Sequence, residues 1–69
     1  MEYPIKVRNV CITDTARKKY KYIVVRECRN YRDEIEYWFY DFTNDLYSAS
    51  MMIRDTENGV VLELQNVHS

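Results

Sequence analysis

The side chains that could carry out chemistry are few in this sequence, and they are poorly spaced for it. There is one histidine, His68, beside the terminal Ser69, and the two cysteines, Cys11 and Cys28, lie far apart. A Ser or Cys nucleophile needs a neighbouring base, and a single imidazole in a terminal tail prone to fraying is badly placed to be one. Structural zinc takes four close Cys or His ligands, which two thiols and one imidazole cannot supply. Gly59 is the only glycine, so no glycine-rich loop can cradle a phosphate. Glu34 and Glu36 alternate along what reads as a strand and could mimic an acid–base pair. At a strand edge they read more simply as solubilising charge. The expectation is a non-enzymatic chain with no catalytic residue, no cofactor and no metal.

Binding is better supplied. Aromatic residues make up 14% of the chain, and they concentrate in Tyr37-Trp38-Phe39-Tyr40 followed by Phe42. Charge is distributed unevenly under a net of −1. Residues 1–32 hold nine basic groups against three acids, a net of +6, and residues 33–69 hold one against eight, a net of −7. Such asymmetry suits either internal complementarity or a charged partner. Acids interleaved with tyrosines suit a basic protein surface, with charge steering the encounter and aromatics anchoring it. The candidate partner-binding residues are Trp38, Tyr40 and Tyr37, with Glu34, Glu36 and Asp41 adding charge. The alternative is a single-stranded nucleic-acid site on the basic half, using Lys19, Lys21, Arg26 and Arg29. Strand alternation counts against it, because in Lys19-Tyr20-Lys21-Tyr22 the cations and the stacking rings would face opposite sides.

These residues need elements to hold them, and 69 residues allow one small domain, 1–69. A core of that size supplies only a few kcal/mol, roughly 3–5, so self-association or a partner is expected. Ile5 to Ile12 reads as a strand whose phase slips near Arg8-Asn9, consistent with a bulge. Thr13 to Lys18 reads as a polar turn with one helical turn capped by Asp14. Lys19 to Cys28 and Glu34 to Phe42 read as strands, joined by a polar connection over Arg29 to Asp33. Residues 44–57 fit a helix with Thr43 or Asn44 as cap, Leu46, Ala49 and Ile53 as its apolar stripe, and Asn58-Gly59 as its stop. The same residues also alternate as a strand would; length and capping favour the helix. Val60 to Gln65 closes as a strand.

The fold expectation is α+β: an antiparallel sheet of about four strands in β-β-β-α-β order, one helix on one face. The alternative is an all-β five-stranded meander or small barrel. In the first arrangement residues 5–12 and 19–28 form a hairpin centred near Ala16. Cys11 then lies opposite residue 21 and Cys28 near residue 4, too distant to bridge. Free thiols, an N-terminus Met1-Glu2-Tyr3-Pro4 without signal character, and apolar runs far below the ~20 residues of a membrane span point to the cytoplasm. One helix cannot cover both aromatic faces, Tyr37 with Phe39 on one and Trp38, Tyr40 and Phe42 on the other. An uncovered row of this kind marks an interaction surface.

The segments Tyr22-Ile23-Val24-Val25-Arg26, Glu36-Tyr37-Trp38-Phe39-Tyr40-Asp41-Phe42, Asn44-Asp45-Leu46-Tyr47-Ser48-Ala49 and Asn58-Gly59-Val60-Val61-Leu62-Glu63 together resemble small accessory proteins of phages and mobile elements. The resemblance covers roughly residues 20–64. It implies a compact, often dimeric protein that inhibits or adapts a larger host protein, in some cases as an anti-CRISPR acting against host defence. These proteins share no common site, so no functional residue is carried over. The expectation is therefore a protein-interaction module with a larger protein partner, a homodimer as a third reading, and no membrane association.

Overall fold

The computed structural model describes residues 5–68, and the side chain of His68 lies outside that description. So do Met1 to Pro4, on which the reading of the N-terminus rested, and Ser69. The fold is α+β, in the order β1 (Ile5–Arg8), α1 (Asp14–Lys19), β2 (Tyr22–Arg29), β3 (Ile35–Thr43), α2 (Leu46–Asp55), β4 (Gly59–Glu63). A 3-10 turn at Leu64–Asn66 then leads into the two-residue β5 (Val67–His68). The backbone of His68 is thus paired beside Lys6 in a strand, where a frayed tail was expected.

The strands form one open sheet in the order β4-β2-β3-β1-β5, which excludes the barrel. It is mixed, not antiparallel. β2 runs antiparallel to β3 and β4, whereas β1 runs parallel to β3 and to β5. The expected hairpin between residues 5–12 and 19–28 does not form, because β3 lies between those two strands. The cause sits at Asn9, whose backbone takes the left-handed conformation (φ 61°) and ends β1 at Arg8. The chain then crosses the sheet face, and Val10 and Ile12 pack against the same core as Ile5 and Val7. The phase slip is therefore a strand end followed by a crossover. Cys11 and Cys28 are both free.

α1 is capped by Thr13, whose Oγ1 accepts from Ala16 N at 3.1 Å, and not by Asp14. Asp14 instead lies in the first turn, with Arg17, Lys18 and Lys19 in the last, so both ends complement the helix dipole. Lys19 ends this helix; β2 begins only at Tyr22.

β2 is an interior strand between β4 and β3, and Ile23, Val24 and Val25 are all fully buried. A strand covered on both faces reads as a continuous apolar run. Ile23 and Val25 join Ile5, Val7, Leu64 and Val67 in the main core, edged by Tyr20, Tyr37, Phe39, Phe42, Val60 and Leu62. Val24 points the other way, where α2 crosses β2 and β4 and buries Ala49. Residues 46–55 are a helix, which settles the strand alternative. Its cap is Asp45, with Oδ1 accepting from Tyr47 N at 3.1 Å and Oδ2 from Ser48 Oγ at 3.1 Å, in place of Thr43 or Asn44.

Asn44 does something the sequence did not suggest. Its side chain accepts from Lys21 N at 2.8 Å and donates to Lys19 O at 2.7 Å, tying the start of β2 to the end of β3. The helix stop also divides its labour differently. Asn58 takes the left-handed conformation (φ 59°), while Gly59 lets Ile53 approach the β4 backbone. Leu46 leaves the expected stripe and is 55% exposed.

Candidate functional site

The aromatic strand β3 carries the candidate surface, and one irregularity decides which rings it shows. Val24 pairs with Asp41 but Val25 pairs with Phe39, so Tyr40 is an extra, unpaired residue in a bulge. The bulge resets the alternation. Phe42 therefore falls on the side of Tyr37 and Phe39, not beside Trp38 and Tyr40 as strict alternation predicts. It packs on Phe39 (centroids 4.8 Å apart) and stacks on Tyr20 (5.2 Å, planes 11° apart) within the core edge. Trp38 and Tyr40 are left 40% and 44% exposed.

The six residues expected at a partner surface thus divide. Trp38 and Tyr40 are presented, and Glu34 and Asp41 are exposed, but Tyr37 is half-buried against the core. Asp41 folds back so that Oδ1 accepts from Phe42 N at 2.8 Å. Glu36 is half-buried and heavily engaged. Its carboxylate accepts from Asn30 Nδ2 at 3.1 Å and from the Trp38 indole N–H at 3.3 Å, and pairs with Arg8 at 3.5 Å. The Asn30 hydrogen bond, chiefly, holds this carboxyl below the usual glutamate range; burial opposes it, and the Arg8 charge and the indole N–H add smaller lowering effects. A general acid needs the opposite shift. The indole is meanwhile held in one orientation by an ionised neighbour.

Strand register supplies what the sequence could not. Trp38 is the cross-strand neighbour of Arg8 on β1 and of Arg26 on β2, so one row of the open face reads Arg8, Trp38, Arg26. Arg8 was not among the expected residues, and no local signal placed it beside Trp38; only the parallel β1–β3 pairing does. Acidic groups approach from the other side. Tyr40 and Arg26 line an open depression of about 450 Å³ together with Asp55 and Glu57 at the end of α2. The aromatic pair is therefore bordered by charge of both signs.

The remaining basic candidates are dispersed. Lys19 and Lys21 are exposed at the entry to β2, and Lys19 Nζ lies 5.4 Å from the Tyr20 ring centre. Arg29 stands at the far end of β2, paired with Asp33 at 3.1 Å. The expected separation of lysines and tyrosines does not survive either, since Tyr20 packs at the core edge before β2 begins. The opposite charges of the two chain halves meet in only two ion pairs among the described residues, Arg8–Glu36 and Arg29–Asp33.

Exposed apolar residues missed in the sequence include Tyr31, beside Arg32 in the β2–β3 connection, Tyr47 and Met51 on the outer side of α2, and Leu46 in its first turn. Among the described residues no three His, Cys, Asp or Glu side chains gather as a metal site, and no helix is long and apolar enough to cross a membrane. Comparison with protein families, with curated proteins and with solved structures finds no match for this chain.

Proposed function

We propose that this chain is a non-enzymatic interaction module that binds a larger protein, as an inhibitor or adaptor of the kind the accessory proteins of phages and mobile elements provide. One observation carries the reading: Trp38 and Tyr40 stand 40% and 44% exposed on the part of the sheet face that α2 leaves open. Large aromatics with few rotatable bonds are the usual anchors of protein interfaces, because ordering them costs little entropy. Trp38 is further fixed by its bond to Glu36, so part of that ordering precedes binding. Arg8 and Arg26 flanking Trp38, with Asp55 and Glu57 beside Arg26 and Tyr40, suit a protein surface of mixed charge. A phosphate backbone would meet the acids unfavourably.

The test is capture from cells that express the chain naturally, comparing wild type with a Trp38→Ala/Tyr40→Ala variant of unchanged circular dichroism. The expected result is a protein enriched on wild type and lost on the variant. Equal enrichment on both contradicts the assignment.

A nucleic-acid reading draws support from the Arg8–Trp38–Arg26 row, which joins cations and a stacking ring on one face. It predicts a shift of random single strands that weakens steeply with salt and depends on Arg8 and Arg26, more than on Lys19, Lys21 or Arg29.

A further inference from the structure

The two edges of the sheet differ. On one side β5 is only two residues long. On the other, β4 is five residues, Gly59-Val60-Val61-Leu62-Glu63, and pairs with β2 alone. Open edges are commonly blunted by lysine, proline or a bulge, and β4 has none of these.

The ladder identifies which of its groups are free. Glu27 N donates to Asn58 O and Leu64 N to Lys21 O, both at 2.9 Å. In an antiparallel pair, hydrogen-bonded and non-bonded positions alternate, so Val60 and Leu62 turn their backbone groups toward β2. Gly59, Val61 and Glu63 turn theirs outward. Gly59 N–H is taken by Thr56 O at 3.3 Å. Gly59 C=O, the N–H and C=O of Val61 and the N–H of Glu63 have no hydrogen-bond partner among the described residues, while Glu63 C=O begins the 3-10 turn at Leu64–Asn66.

We propose that a second copy of this chain occupies that edge, β4 pairing antiparallel with β4 about a two-fold axis at Val61. The register follows from the strand itself. Val61 exchanges both backbone hydrogen bonds with its symmetry mate, and Glu63 N–H donates to Gly59 C=O of the other copy. On the core side each Val60 opposes the other copy's Leu62, closing half-buried apolar surface on both. The strand's single charge, Glu63, opposes a glycine, so no like charges meet. A self-complementary patch of this kind is what a two-fold interface requires. The α2 helices lie side by side on one face of the joined sheet. The flank of α2 that reaches β4 through Ile53 also carries the half-exposed Leu46, two turns earlier. The Trp38 and Tyr40 surfaces take no part, so this dimer stands independently of the function proposed above.

The test combines light scattering after gel filtration with amide hydrogen exchange. Wild type is expected at twice the mass of one chain, with Val61 and Glu63 amides protected more strongly as concentration rises. Val61→Lys puts two cations at the axis and halves the mass with circular dichroism unchanged. Val61→Pro removes only an outward N–H, leaves the β2 ladder intact, and halves it too. Trp38→Ala/Tyr40→Ala stays dimeric. A wild-type monomer at concentrations used for NMR overturns the proposal. So does fast exchange at Val61 and Glu63, a reading that needs no variant to fold. A dimer that survives Val61→Lys, or dissociates on Trp38→Ala/Tyr40→Ala, assigns the interface elsewhere.

Discussion

Gly59→Ala tests how α2 is seated. A β-carbon added at this position would lie 2.9 Å from Ile53 Cγ2 and 3.0 Å from both Ile53 Cα and Cβ. Carbon atoms pack at about 3.5–4.0 Å, so the helix must lift or β4 must retreat. Forcing an extra methyl into a filled space costs about 1–3 kcal/mol. Alanine also restricts the unfolded chain, which returns about 0.4–1 kcal/mol where the backbone angle suits it. Gly59 does not have a positive φ, so that return applies. The net expectation is a loss of about 1–2 kcal/mol, or roughly 5–15 °C in Tm for a domain this small. Urea unfolding followed through Trp38, the only tryptophan, should show a lower midpoint at unchanged slope, at matched protein concentration. Ile53→Ala in the same background removes Cγ2 but keeps Cα and Cβ, so it should relieve the clash only in part. A Gly59→Ala protein as stable as wild type would mean that α2 does not sit on β4 in this way.

Other expectations rest on single contacts. Arg17 donates to Leu64 O at 2.8 Å and to Val67 O, holding α1 to the chain's last turn and β5. Arg17→Ala should cost about 2–3 kcal/mol in denaturant unfolding, with Arg17→Lys recovering less than half because one ammonium cannot serve both carbonyls; a loss within about 0.5 kcal/mol would contradict this. Asn44→Ala breaks two hydrogen bonds and should cost about 1 kcal/mol. Asn44→Asp should do no better, since its carboxylate would face Lys19 O; full stability there would be contrary. Glu36 has a folded-state pKa below the ordinary 4.5. Its contribution to stability is thus present above the unfolded value and fades as pH falls through the folded one. Carboxyl NMR should place its midpoint below that of a free glutamate, and Glu36→Gln should flatten this part of the acid unfolding curve. A midpoint at or above 4.5 would mean that the Asn30, Arg8 and Trp38 contacts are not formed.

What the sequence disclosed tracks what is local. The Tyr-, Ile- and Val-rich run over Lys19 to Cys28 announced a strand, though not that Ile23, Val24 and Val25 would be buried on both faces, and helical spacing with a nearby cap announced α2. The cap itself was ambiguous because Thr43, Asn44 and Asp45 are all able cappers; the winner depends on which side chain the β2 entry claims, and it claims Asn44. Strand order was illegible, since β1 reaches its place through parallel pairing with a strand thirty residues later, which no short-range pattern encodes. An uncovered aromatic row on this strand was foreseen, but not which one, and its composition turned on the bulge at Tyr40, where one unpaired residue moved Phe42 to the core. The Arg8–Trp38–Arg26 row was hidden for the same reason: its members meet only through register.

The proposed role of the open sheet face is most directly tested through its single indole. With 5-fluorotryptophan in this chain alone, Trp38 gives one fluorine resonance. Titrating the captured partner should shift or broaden that resonance and protect it from solvent, to saturation at one partner per Trp38 surface. A resonance unmoved when the partner is fully bound would show that the partner docks elsewhere, and the assignment of Trp38 and Tyr40 as its anchors would be wrong.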